Sequence, residues 1–416
     1  MPARRAATAP FRTAWAPLRS GPFRSLWIAT MIANIGAWSQ TVGAAWLLVE
    51  SAGGADQVAL VQTASSAPVV LFSLVGGVLA DRRDRITVQL LAQSWSAAAA
   101  LALATLVLQG AATPPAVLVL TFLVGIGIAL RGPAWQAAIC DLVPAPQVPA
   151  AVALSSVGFN LSRVVGPFIG GMVVATLGAA PAFLINVLTS LVLIGVLLTR
   201  PRPPRPPAGD RDGWASMRTG LRYVCASPVL RAVLVRAVAV GIPAGAILAL
   251  LPVFASAAPG GNALLYGLLL GAFGAGAVAG AVLLARLRPR WPPETLLSGA
   301  SLTFAGVLAA LSATPSPLPA AALLALAGIG WIGMLSTLNT TVQLAAAPEL
   351  RGRALAAYMT CAFGGLALGG VIWGRLAAAG GVDVSFLAAG LMLALGTGLR
   401  LHFALPMRDD VGEAAS

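Results

Sequence analysis

The sequence predicts an all-α integral membrane protein. It has twelve transmembrane helices in two pseudo-symmetric six-helix bundles, with both termini in the cytoplasm. Three observations predict it. The 416 residues are 58% hydrophobic and only 9% charged, whereas a soluble surface needs roughly 25% charge. Lipid must therefore solvate much of this chain. The chain also divides into twelve apolar segments, each long enough to cross a hydrocarbon core of about 30 Å as a helix. Finally, the basic residues fall in alternate connections, as the positive-inside rule requires.

In order, the segments run over 25–49, 57–80, 86–109, 115–137, 149–177, 181–199, 229–255, 263–286, 294–313, 318–342, 351–378 and 384–405. A tail, 1–24, carries five arginines and no acid. It precedes a span too long for a signal-peptide core and without a cleavage site, so it is read as retained. The N-terminal bundle covers 25–199, a linker 200–227, the C-terminal bundle 228–405 and a second tail 406–416. Pro68, Pro133, Pro167 and Pro243 fall inside helices, where neighbouring helices re-satisfy the backbone.

Charge sets the topology. Asp81–Arg85, Arg200–Arg222, Arg286–Arg290, Arg351–Arg353 and Arg400–Arg408 share a side with the N-terminal tail. Gly53–Asp56, Gln109–Pro115, Gly178–Pro181, Pro259–Asn262 and Thr314–Pro317 hold no arginine and face the other way. The linker opens as Pro-Arg-Pro-Pro-Arg-Pro-Pro, an extended spacer. Further along, Trp214, Met217, Leu221 and Val224 are spaced as one face of a short amphipathic helix. The halves repeat. Gly76-Gly77-Val78-Leu79 matches Gly280-Ala281-Val282-Leu283, Gly125-Ile126-Gly127 matches Gly328-Ile329-Gly330, and Gly166 and Gly170 match Gly370 and Gly374.

Several functions are excluded. There is no GxxxxGK[ST] loop, so ATP is not the drive, and no HExxH or metal-spaced Cys/His set. No cofactor is expected. His402, the only histidine, ends the last helix, which leaves no Ser/His/Asp set. Cys140, Cys225 and Cys361 are expected to be free. The net charge of +13 sits between apolar runs, so it orients the chain and does not bind nucleic acid.

Charge inside a membrane helix marks function by default. Arg131 lies deep in helix 4 and Arg163 midway along helix 5, where it can meet Arg131 across a cavity or an anionic group of a substrate. Arg236 is nearer a helix start. Polar and aromatic residues that can line a cavity are Asn34, Trp38, Gln40, Trp135, Gln136, Asn160, Trp331, Asn339 and Tyr358. No carboxylate falls at mid-membrane; Glu50, ending helix 1, and Asp141 are the best proton carriers.

The loop Gly77, Asp81, Arg82 and Arg85 resembles the signature between helices 2 and 3 of the major facilitator superfamily, with Asp84 in place of the usual glycine. The resemblance implies that these residues gate the cytoplasmic side. Gly166-Pro167-Phe168-Ile169-Gly170-Gly171 resembles the helix 5 motif of exporter branches, where it implies a dry hinge with helix 8. Gly271, Gly274, Gly276 and Gly280 are its expected complement. Phe23–Trp27, Arg131–Ala137, Asp141–Pro144 and Gly220–Val224 make the chain similar to enterobactin-exporter-like members, the transmembrane secretion effectors. This implies proton-driven export of a small organic molecule by alternating access: a drug-like compound, secondary metabolite or siderophore. It also implies an arginine of helix 4, Arg131, in proton coupling. The expected partners are substrate, protons and the lipid bilayer, for a monomer. An importer or facilitator of the same fold, or a non-transporting sensor or scaffold, stays open.

Overall fold

The computed structural model describes residues 15–51, 54–201, 222–314, 316–347 and 350–405. The described residues hold twelve long helices. These are α1 (Gly21–Glu50), α2 (Ala55–Arg82), α3 (Arg85–Leu108), α4 (Pro114–Leu142), α5 (Val148–Leu177) and α6 (Ala179–Leu198). The second six are α7 (Pro228–Ala257), α8 (Ala263–Leu287), α9 (Pro293–Ser312), α10 (Pro317–Ala345), α11 (Arg351–Gly380) and α12 (Val382–Gly396). The expected amphipathic stretch from Trp214 lies outside the described residues up to 221; residues 222–226 are helical.

Eight of the twelve helices start where a side chain or proline satisfies the first turn; α2, α6, α11 and α12 have neither. Ser227 accepts from Leu230 N and Asn262 from Leu265 N, while prolines open α4, α7, α9 and α10. Asp84, where the resembled family has glycine, caps α3: its carboxylate accepts from Thr87 N at 2.7 Å and Thr87 Oγ1 at 2.8 Å. The departure thus replaces flexibility with a cap.

Eleven of the helices are long and apolar enough to cross a membrane, and α1 is not among them. Asn34, Ser39, Gln40 and Thr41 lower its hydropathy. The helix can carry them because it packs on α2, α5 and α6 and is largely shielded from lipid.

The helices alternate in direction, so the chain has two ends. At the basic end Arg85 meets Asp141, Arg200 donates to Ser25 Oγ, Tyr223 OH accepts from Ala347 N, and Arg236 meets Glu294. At the opposite end two of the turns are a single residue long. One glycine, Gly178, joins α5 to α6 at φ +83°, and one, Gly381, joins α11 to α12 at φ +92°. Only glycine adopts that backbone cheaply, and the two turns occupy equivalent places in the two halves. The sequence repeat is therefore a repeat of structure.

The bundles meet along α2/α11 and α5/α8. Thr63 Oγ1 donates to Ala367 O at 2.8 Å across the seam. A Cβ added at Gly374 would lie 2.6 Å from Ala59 Cβ and 3.1 Å from Asp56 Cα, and one at Gly171 would lie 2.5 Å from Ala263 O. These residues lie toward the opposite end. There one apolar core runs through both bundles, from Val42, Leu48 and Val58 to Ile247, Leu250 and Phe273. Toward the basic end the N-terminal bundle has its own core, built on Phe23, Leu26, Ile86, Trp135, Ile139, Leu154 and Leu193. Among the described residues the apolar core is shared by both bundles at one end and not at the other.

Candidate functional site

The site is built on α1. Asn34 and Trp38 are one turn apart and half-exposed, so they share a stripe that the packing of α1 leaves uncovered. An arginine reaches this stripe from each side. Arg131 of α4 donates from Nη2 to Asn34 Oδ1 at 2.7 Å, while its buried Nη1 has no acceptor. Arg163 of α5 places its guanidinium carbon 5.9 Å from the Trp38 ring, 5.1 Å from Phe273 of α8 and 5.5 Å from Trp331 of α10. Both arginines are only 8% exposed.

The cage therefore draws one ring from the N-terminal bundle and two from the C-terminal bundle. Neither arginine meets a carboxylate among the described residues. Arg163 Nε and Trp331 Nε1 are also buried without acceptors. Cation–π contacts contribute about 0.5–2 kcal/mol, while removing an ion from water costs several kcal/mol. The rings leave Arg163 short of full compensation.

Other expected site residues divide into two groups. Asn160 and Asn339 are half-exposed and Gln136 is exposed, so their side chains remain accessible. Asn160 bonds only its own helix, at Ser156 O, and Asn339 accepts from Gln343. Gln40, Trp135 and Tyr358 are instead buried in packed contacts. Gln40 accepts from Asn186 Nδ2 of α6, Trp135 stacks with Phe23 at 6.5 Å, and Tyr358 OH donates to Leu335 O of α10 at 2.9 Å. The polar groups of Gln40 and Tyr358 thus find partners on neighbouring helices, as membrane burial favours. Phe273 is the residue that sequence reasoning missed, because an apolar ring carries no polar mark. A faint signal existed: it is the one bulky residue in Gly271-Ala272-Phe273-Gly274-Ala275-Gly276.

The proton candidates lie at the helix ends. Glu50 is exposed at the opposite end and accepts from Trp46 Nε1 at 2.8 Å. Asp141 is 63% exposed at the basic end and pairs with Arg85 Nη1 at 2.6 Å, which also donates to Ala137 O. Of the loop residues, Arg82 ends α2, and the Asp81 side chain lies outside the described set. A Cβ at Gly77 would meet nothing within 4 Å, whereas Gly76 lies against the Leu130 backbone of α4.

The helix 5 motif serves two neighbours at once. Gly166 and Gly170 press on α1 at Trp38 and Ser39, while Pro167 and Gly171 press on Gly267 of α8. On α8, Gly271 and Gly274 meet α5, but Gly276 and Gly280 turn to α10, at Ala325 and Ile329. The expected four-glycine complement is thus split, and Gly267 completes it.

A family model described as transmembrane secretion effector matches residues 12–416. The multidrug efflux pump Tap of Mycobacterium tuberculosis is 29% identical over 388 residues, covering 89% of this chain and 90% of its own. The enterobactin exporter EntS of Salmonella typhi is 26% identical, covering 85% of this chain and 87% of its own. Among solved structures, an inward-facing, unoccupied bacterial homologue of the lysosomal transporter Spinster aligns over 96% of this chain and 99% of its own, with TM-score 0.73 and 16% identity. The nucleoside transporter NupG aligns over 92% and 99% with TM-score 0.73 and 13% identity. The folds agree at identities that establish the fold alone. On the family match over nearly its whole length, this chain belongs to the transmembrane secretion effectors, multi-span transporters of the major facilitator superfamily.

Proposed function

We propose that the protein exports a small organic molecule by alternating access, driven by the proton gradient. The observation that carries the reading is the uneven seam: one core through both bundles at the opposite end, separate cores at the basic end. The arginine distribution argues that the basic end is cytoplasmic. The conformation is then open inward, ready to load from inside. The efflux pump and siderophore exporter among the relatives support the outward direction and an organic cargo, whether drug-like compound, secondary metabolite or siderophore.

Asn34, Trp38, Gln136, Asn160 and Asn339 offer the cleft a mixed aromatic and polar wall. Arg131, tied to α1 through Asn34, couples proton movement to that wall. Asp141, paired with Arg85, and Glu50 at the far side are the carboxylates that carry the proton in this reading. Gly77, Asp81, Arg82 and Arg85 gate the basic end. The open space beside Gly77 is where a neighbouring helix would arrive when that end shuts. One chain contains the whole path, so a monomer suffices.

Dye efflux from loaded proteoliposomes under an imposed pH gradient tests this. Efflux should quicken with the gradient and slow when an ionophore collapses it. Efflux indifferent to the gradient removes proton coupling, and net dye entry removes export.

A further inference from the structure

We propose that the cargo is an organic anion, and that Arg163 binds its charged group. This rests on the transporter reading above and names the class of its substrate.

Arg163 stands at the middle of α5 (Val148–Leu177), too deep to snorkel to either interface. Aromatic faces attract its charge, yet they cannot accept a guanidinium's directional N–H bonds as an oxygen does. No hydrogen bond or ion pair engages Arg163 among the described residues, and its Nε is a buried orphan. Two further buried donors are orphans around the same stripe: Arg131 Nη1, whose sister nitrogen holds Asn34, and Trp331 Nε1, whose ring walls the cage. Three unpaired donors, two of them on cations, lie along the Asn34–Trp38 stripe and its ring cage, where no carboxylate is supplied among the described residues. Buried donors in native proteins have partners. The missing partner is an acceptor of negative charge, brought by the ligand.

The rings define the rest of that ligand. Trp38, Phe273 and Trp331 offer flat apolar walls, which fit an aromatic or conjugated body bearing a carboxylate. The cage spans both bundles. An anion that draws the guanidinium toward itself therefore weakens a contact between α5 and the α8/α10 pair. Cargo binding and the loosening of the seam become one event.

The test uses full-length protein in lipid nanodiscs and equilibrium dialysis with 1-naphthaleneacetate and its uncharged amide. Wild type should bind the anion at least about tenfold more tightly than the amide. Arg163→Gln should bind the two equally, and Arg163→Lys should keep part of the preference. Equal affinity in wild type, or no binding of the anion at millimolar concentration, overturns the proposal. So does an anion preference that survives in an Arg163→Gln protein melting at the wild-type temperature. Should that variant fail to fold, an undiminished preference in Arg163→Lys together with chloride or inorganic phosphate displacing the probe would assign an inorganic-anion site and overturn the organic one. The two readings fail separately. Anion preference without gradient-dependent efflux removes proton-driven export and keeps the site; the reverse keeps the exporter and removes the site.

Discussion

Arg236 in the C-terminal bundle and Arg163 in the N-terminal bundle are both buried arginines within apolar helices, and the protein treats them differently. Arg236, 2% exposed, donates to Glu294 Oε1 at 2.9 Å. The same carboxylate accepts from Ser298 Oγ and from the Leu405 backbone N–H, so it ties α7, the start of α9 and the chain beyond α12 together. Arg163 has rings where Arg236 has oxygen. Burial alone does not distinguish an architectural charge from a working one. The partner does: a cation whose counter-ion is built in holds the fold, and one whose counter-ion is missing can respond to a visitor.

The largest expected effect breaks the architectural side of this pair. Arg236→Met leaves Glu294, whose side chain is 22% exposed, without its cation and should destabilise the protein by up to about 3 kcal/mol. Thermal melting in detergent reads this, and Arg236→Met with Glu294→Met should recover most of the loss. Arg163→Met should melt at or above the wild-type temperature, because it removes a charge that lacks a full partner. If both single variants lose stability alike, the distinction between the two arginines collapses.

A smaller effect sharpens the contrast between the two ends of the seam. Gly171→Leu forces side-chain atoms into Ala263 O and the Gly267 backbone, 2.5 and 2.9 Å from its Cβ. It should cost about 1–3 kcal/mol through overpacking and widen the α5/α8 spacing measured between spin labels. Gly77→Leu, with nothing within 4 Å of its Cβ, should alter stability by under about 0.5 kcal/mol. It should nevertheless slow transport if the basic end must shut. Asp141→Asn is also mild: its exposed pair with Arg85 should contribute at most about 1 kcal/mol. Any larger change should appear in the gradient dependence of efflux, and an unchanged dependence would clear Asp141 of carrying a proton.

The helices were legible because lipid enforces them. The expected 149–177 and the observed Val148–Leu177 differ by one residue, since an unpaired backbone group has no refuge in hydrocarbon. The last helix was overdrawn: 384–405 ends as α12 at Gly396 and continues as a 3₁₀ turn through Leu401. The site was half legible. Charge picked out Arg131 and Arg163, but partners depend on which helices touch, and sequence spacing within one helix does not say that. Gln40 and Tyr358 look identical to cleft residues until Asn186 and Leu335 claim them. The carboxylates were placed at helix ends from the sequence, and they lie there.

The join between α5 and α8 has one further consequence. At Gly171, Gly267 and Gly274 it is main chain lying on main chain, with Pro167 O and Arg163 O as the opposing surface. Such a contact has almost no rotamers to rearrange when one helix rolls over the other, so its friction is low and its geometry is single-valued. Under the alternating access proposed above, the two bundles would swing on it like a door on a plain pin, and even one methyl group added there would act as grit.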